Sequence, residues 1–272
     1  MRTLPALTLA LLIAGLATGC GSDKAASPVT QTTASTTSPA TSATSSNAPA
    51  AVADPATRCG VKAPTKAAVT TLPVTGGALT VASVGAGRRV GILLHQSDGD
   101  LCQWWPYAVQ WARNDIRLIV VDQCGFGQST CTATPRQQVD ALVAFARRSP
   151  TTSVTLVGAS MGGTIALAEG QAAGANAVVD LSGPPTWYDE TPAEQAAART
   201  TVPLLVACSA TDTDVSPSTL QAEVQASPAR PKFFSSKERG HGVDMLVGLD
   251  GQPTPLAGLV RDWIAGDRRT SI

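Results

Sequence analysis

The sequence predicts an α/β protein: a mostly parallel central sheet with helices on both faces. Three observations predict it. From Ala78 onward, short runs rich in β-branched residues alternate with stretches of helical character, the pattern of crossover units that lay parallel strands side by side. Those runs are continuously apolar, as strands covered on both faces must be. Residues 154–163, Val-Thr-Leu-Val-Gly-Ala-Ser-Met-Gly-Gly, pass into an Ala-rich stretch at 164–173. That reads as strand, sharp turn and helix with a serine at the apex, its close neighbours small because the turn brings backbone segments together.

The elements follow in chain order. Arg2 and the uncharged apolar run 4–16 read as an export segment, too short for a comfortable membrane span. It ends in Leu16-Ala17-Thr18-Gly19-Cys20, which resembles a bacterial lipobox. That resemblance implies a signal peptide over 1–19, diacylglyceryl attachment to the Cys20 thiol, and an extracytoplasmic protein anchored to the cell membrane, since two or more acyl chains hold where one does not. An ordinary secretory peptide with a coincidental cysteine is the plainer alternative. Residues 20–57 carry Cys20 and then mostly Ser, Thr, Ala and Pro without apolar periodicity. Such a stretch cannot offset its own ordering entropy and reads as a disordered tether, with a reach of about 30–35 Å. Residues 58–272 are then the folded domain.

Within that domain, 78–84 and 89–95 read as strands around the turn Gly85-Ala86-Gly87, 104–114 has helical character, and 117–122 is β-rich. Residues 135–148 form an amphipathic helix: Thr134 caps it, Pro135 takes its first position, and Val139, Leu142, Val143 and Ala146 line one face. Arg147 and Arg148 suit its C-terminal end. Then come a strand at 153–157, a helix to about Ala173, strands at 177–181 and 202–208, a helix near 217–226, a strand at 232–235 and a final helix near 256–265. In such folds reactive groups gather at the C-terminal ends of the strands.

Acidic and basic residues number 20 each, and the basic ones are scattered, so nothing suggests a nucleic-acid surface. Besides Cys20 there are Cys59, Cys102, Cys124, Cys131 and Cys208. An odd number in an oxidising compartment suggests two disulfides and one free thiol. Cys208 lies inside an apolar run and is the candidate free thiol. Cys124 and Cys131 flank one short loop and are candidates to pair, which would leave Cys59 with Cys102; other pairings stay open. With no Cys-x-x-Cys and 2 histidines, neither a zinc site nor another cofactor is expected.

Four pieces at the strand ends resemble the α/β-hydrolase family, and the resemblance spans residues 78–272. Leu93-Leu94-His95-Gln96-Ser97 resembles its His-Gly segment. Asp122-Gln123-Cys124-Gly125-Phe126-Gly127-Gln128-Ser129 resembles its Asp-x-x-Gly-x-Gly-x-Ser turn. Gly158-Ala159-Ser160-Met161-Gly162 matches its nucleophile elbow, and Asp212 and His241 follow in its order of nucleophile, acid and base. The resemblance implies that Ser160 is the nucleophile. A serine hydroxyl needs a base within hydrogen-bond reach, and His241, in Arg239-Gly240-His241-Gly242, stands where the family places it. His95 takes the family's structural position. Asp212 aligns with the acid that orients the base; Asp214 is its close alternative, and Asp122 is read as structural. The Met161 N–H and a second N–H from Gln96 or Ser97 would form the oxyanion hole. The family usually has glycine where Gln96 stands, so the Gln96 amide is expected over the pocket, as an added donor or a size limit. A plain turn serine and a surface-loop histidine are the alternatives for Ser160 and His241.

Between residue 181 and the acid strand lie only Ser182-Gly183-Pro184-Pro185-Thr186-Trp187-Tyr188 and an Ala-rich stretch to Thr200, too little for a cap domain. An open site is expected, with Trp187, Tyr188 and Trp104 or Trp105 near its rim; ordinary packing is the alternative for these aromatics. The predicted function is a monomeric, membrane-anchored serine hydrolase cleaving small-molecule or lipid carboxylic esters through an acyl-enzyme. An acyltransferase with the same three residues, or a non-catalytic binding or scaffold lipoprotein on this fold, are the alternatives.

Overall fold

Strands β1 (Ala68–Val74), β2 (Gly77–Val84), β3 (Arg89–Leu94), β4 (Ile116–Asp122), β5 (Ser153–Ala159), β6 (Ala177–Leu181), β7 (Leu204–Ala207) and β8 (Lys232–Ser235) form one sheet. Its order is β1-β2-β4-β3-β5-β6-β7-β8. β1 and β2 are antiparallel to their neighbours, and from β4 across to β8 every pairing is parallel. The structure is a computed structural model describing residues 52–63, 67–112, 115–188 and 190–272. The export segment, Cys20 and nearly all of the Ser/Thr/Ala/Pro stretch lie outside them.

Successive strand residues point to opposite faces, and each face has its own core. On one, Ile92, Leu94, Leu156 and Val178 pack with α3 (Pro135–Ala146), α4 (Met161–Glu169), α5 (Ala193–Arg199) and α6 (Pro217–Ala226) through Leu142, Ile165, Ala196 and Leu220. On the other, Leu93, Leu118, Val157 and Val179 meet α2 (Trp105–Trp111) and α7 (Pro255–Ile264) through Trp105, Val260 and Trp263. Double coverage is why the parallel strands read as unbroken apolar runs. The capping expected of α3 is present as a full capping box: the Thr134 hydroxyl accepts from the Gln137 N–H, and the Gln137 side chain accepts from the Thr134 N–H.

Three elements differ from the sequence reading. β1 was hidden by Thr70, Thr71 and Pro73, which suit an edge strand better than a buried one. α5 occupies the Ala-rich stretch before β7. Helix α1 (Pro55–Cys59) takes in residues whose composition placed them in the tether; Pro55 is buried there and Arg58 reaches Asp122 at 2.5 Å. α1 is crosslinked by Cys59–Cys102, the second disulfide is Cys124–Cys131, and Cys208 is a buried free thiol.

Candidate active site

β5 enters α4 through Ser160, whose φ of 49° and ψ of −120° put a non-glycine residue in a sparsely populated region. The glycines around it are required by close packing. A Cβ on Gly158 would run into the Gly162 carbonyl, and one on Gly162 into the Leu94 carbonyl. The Ser160 N–H donates to the Leu181 carbonyl at 2.8 Å, tying the turn to the end of β6. The half-buried serine therefore projects at the C-terminal end of the central strands, and Met161 begins α4 with an N–H that has no carbonyl one turn earlier.

His241 lies beyond β8, at the entry to a 3-10 turn over Gly242–Leu246. Its Nδ1 is 2.9 Å from Asp212 Oδ2. The other Asp212 oxygen accepts the N–H groups of Asp214 at 2.9 Å and Val215 at 3.1 Å. Burial pushes this carboxyl upward, but the bonds from His241, Asp214, the Ser182 hydroxyl and Val215 outweigh it and hold the group below its ordinary value. Asp212 is thus ionised at neutral pH and presents its charge to the imidazole, while Asp214 stands exposed beside it. Gly242 packs against the elbow: a Cβ there would lie 3.2 Å from Ala159 Cβ.

No family model matches the chain, and no curated protein matches it in sequence. Solved structures do match it in shape. A thermophilic esterase from Thermogutta terrifontis has a TM-score of 0.60 at 15% identity, over 74% of this chain and 100% of the other. An esterase from Exiguobacterium antarcticum has 0.59 at 14%, over 72% and 99%. A predicted hydrolase from Thermoplasma acidophilum has 0.58 at 13%, over 74% and 99%. The chain has the α/β-hydrolase fold.

Placed in the α/β-hydrolase fold, Ser160 follows β5, Asp212 follows β7 and His241 follows β8. His95, at the end of β3, is spent on structure. It is fully buried, its Nε2 accepts the Gln123 N–H at 3.0 Å, and Nδ1 donates to the Gln96 carbonyl at 2.6 Å. Burial lowers its pKa, consistent with a neutral ring. Asp122 is structural as well: it accepts from Arg58, the Leu101 N–H and the Gln128 N–H.

Two expectations are corrected. The Gln96 amide does not reach over a pocket. It is buried, with Oε1 accepting the Val243 N–H at 2.7 Å and Nε2 donating to Asp98 at 3.2 Å, while the Gln96 N–H donates to Gln103 Oε1 at 3.0 Å. A backbone donor already bonded this way is unavailable to an oxyanion, which leaves Ser97. Trp104 does not line a pocket either. It is 0% exposed and its Nε1 donates to the Leu94 carbonyl at 2.8 Å; Trp105 is equally buried and bonds the Val61 carbonyl. Buried indoles need a partner for their N–H, and here backbone supplies it. Tyr107 instead faces a cavity of about 640 Å³ shared with Gln103, Val243 and Val247. Trp187 is half-buried, and Tyr188, at 89% exposure, meets it edge-on at 5.2 Å. Their segment is tied to α4 where the Thr164 hydroxyl donates to the Pro184 carbonyl.

Sequence reasoning missed two supports of the acid. Ser182, buried at φ 56°, helps to hold the Asp212 carboxyl below its ordinary value, with its hydroxyl 3.9 Å from Met245 Sδ. The Cys208 sulfur lies 3.8 Å from Asp212 Oδ2, and burial together with that carboxylate pushes the thiol up to about 12, so it stays protonated. Their only signal is position, at the ends of β6 and β7. Asp212, Asp214 and His241 also place donor atoms within 4.8 Å of one another, as a metal site would. Both Asp212 oxygens and His241 Nδ1 are already engaged in hydrogen bonds, so this set is organised as an acid–base pair rather than as open ligands.

Proposed function

We propose that this protein is a serine hydrolase that cleaves carboxylic esters through an acyl-enzyme. The observation that carries the reading is the 2.9 Å contact of Asp212 Oδ2 with His241 Nδ1, on a loop packed against the strained Ser160 elbow. Asp212 keeps the Nδ1–H tautomer, which leaves Nε2 as the base. In the mechanism, Ser160 Oγ attacks the ester carbonyl and gives its proton to His241 Nε2. The Met161 and Ser97 N–H groups face the oxyanion, and His241 passes the proton to the leaving alkoxide. Water, deprotonated by His241, then attacks the acyl-enzyme carbonyl, and as the C–O bond to Ser160 breaks, His241 returns the proton to Ser160 Oγ and the carboxylic acid leaves.

The neighbours' names support this class. The Thermogutta and Exiguobacterium proteins are called esterases, and a thioesterase domain from the curacin biosynthetic pathway matches at a TM-score of 0.55 and 13% identity, over 74% of this chain and 100% of that one. A thioester is therefore the second substrate class. Only residues 182–203 separate β6 from β7, with α5 among them, which suits an uncapped site. We also read the protein as exported and anchored through Cys20; two disulfides suit an oxidising compartment.

Labelling with a fluorophosphonate probe tests the chemistry. Wild type is expected to label and Ser160→Ala to stay dark, with hydrolysis of p-nitrophenyl esters falling on the order of 10⁶-fold; a folded wild type that does not label sinks the reading. Cys20→Ser is expected to move the protein from the membrane pellet to the soluble fraction, and an unchanged pellet would rule out the anchor.

A further inference from the structure

We propose that Gln96 is a positioning residue, which braces the loop carrying His241 against the loop carrying the second oxyanion donor, and that this donor is the Ser97 N–H. The proposal rests on the serine-hydrolase reading and extends it to how the site is held.

Gln96 is 6% exposed and bonded at every polar end. Its Oε1 accepts the N–H of Val243, two residues beyond His241. Gly242, between them, has no room for a side chain: a Cβ there would run into Gln96 Oε1. The base loop is thus seated between Gln96 on one side and Ala159, next to the nucleophile, on the other.

Gln103 completes the brace. Its Oε1 takes the Gln96 N–H, and its Nε2 donates to Asp98 Oδ1 at 3.0 Å, the same oxygen that accepts from Gln96 Nε2. The Gln103 bond, ahead of the opposing effect of burial and with help from Gln96, holds the Asp98 carboxyl below its ordinary value, so the acceptor is ionised. The 3-10 turn carrying Gln103, Leu101–Gln103, is fixed in turn by Cys102 bonded to Cys59 and by Asp100 paired with Arg58.

Two consequences follow from donor and acceptor counting. The Gln96 N–H has a partner, so a second oxyanion donor from this loop falls to the next N–H along the chain, that of Ser97. A residue without an acceptor at position 96 would leave the Val243 N–H buried and unpaired, which a native loop avoids by moving. Movement of the base loop displaces His241, and a displacement of about 1 Å costs on the order of 100-fold in rate.

The test uses the full chain, with p-nitrophenyl butyrate hydrolysis, fluorophosphonate labelling and exchange of the Val243 amide by NMR. Gln96→Met keeps the volume and removes both amide ends. It is expected to lower kcat and the labelling rate by about 10- to 100-fold, leave KM nearly unchanged, and speed Val243 exchange. Gln96→Glu alone sets two carboxylates against each other and is expected to be impaired. Adding Asp98→Ala removes the facing carboxylate, leaves the exposed Gln103 Nε2 to water or to the new carboxylate oxygen at position 96, retains an acceptor for Val243, and is expected to recover most of kcat. A folded Gln96→Met with wild-type kcat and a slow Val243 amide overturns the brace while leaving the Ser160 reading intact. Absence of rescue in the double variant overturns it too, and decides the matter if Gln96→Met does not fold. A folded wild type that neither labels nor hydrolyses overturns both readings together.

Discussion

The proposed acid loop after β7 and the proposed oxyanion loop after β3 both leave the sheet at a strand's C-terminal end, yet they are held in opposite ways. In the acid loop everything converges on one charged side chain: the His241 ring and the N–H groups of Asp214 and Val215 all bond Asp212. Two of those three partners lie within three residues of it. In the oxyanion loop no single group dominates. Two neutral amides and Asp98 bond one another and reach Val243, far along the chain. A carboxylate can organise a short turn by itself because it accepts several hydrogen bonds at once. Amides share the work, so their arrangement depends on elements that only the fold brings near.

The largest effect expected from this contrast falls on Asp212. Asp212→Asn should lower kcat/KM by about 10⁴-fold through the wrong histidine tautomer. Asp214→Asn, on an exposed carboxylate that contributes its backbone N–H, should change it by less than about 3-fold. Steady-state kinetics of both variants separate the neighbours, and comparable losses would mean the acid loop has no single centre.

The next effect concerns the crosslink behind the oxyanion loop. Cys59–Cys102 closes a separation of 43 residues and Cys124–Cys131 one of 7. Loop-closure entropy then predicts losses of about 4 and about 2.5 kcal/mol on replacing each pair with serine. Urea unfolding of the two double variants reads the order. The reverse order would show that the longer crosslink fastens a segment contributing little to global stability.

The smallest effect is beneath the elbow, between the two loops. Asp180, on β6, is fully buried; one oxygen accepts the Gly183 N–H at 2.7 Å and the other has no partner among the described residues. Burial raises its pKa from 3.8 to about 7. The folded state therefore keeps a proton that the unfolded chain releases, and stability falls as pH rises through the window from 3.8 to about 7. Asp180→Asn mimics the protonated form and should raise Tm more at pH 8 than at pH 5. An equal shift at both would assign Asp180 no proton of its own.

Much of the fold was legible because its signals are local. The alternation of apolar runs and helices marked every parallel strand, and Thr134 followed by Pro135 marked the start of α3. β1 was not legible: its Thr-Thr and Pro become a strand only by pairing with β2. The sharp turn at Ser160 was legible in its glycines, and Asp212 and His241, which the structure brings into contact, stood out by residue type and order along the chain. Trp104 was misread for a physical reason. An aromatic beside a site motif looks the same in sequence whether it faces solvent or core, and only the α2 packing turned it inward.

Sequence by itself determined the α/β architecture, the elbow with its obligatory glycines, and the chain order of Ser160, Asp212 and His241, because each depends on neighbours within a few residues or on a strict order along the chain. Tertiary structure decided which carboxylate meets the histidine, that the Gln96 N–H is taken by Gln103, and which cysteines join. Those outcomes depend on distances between segments that are remote in sequence: Gln96 and Val243, Arg58 and Asp122, Cys59 and Cys102.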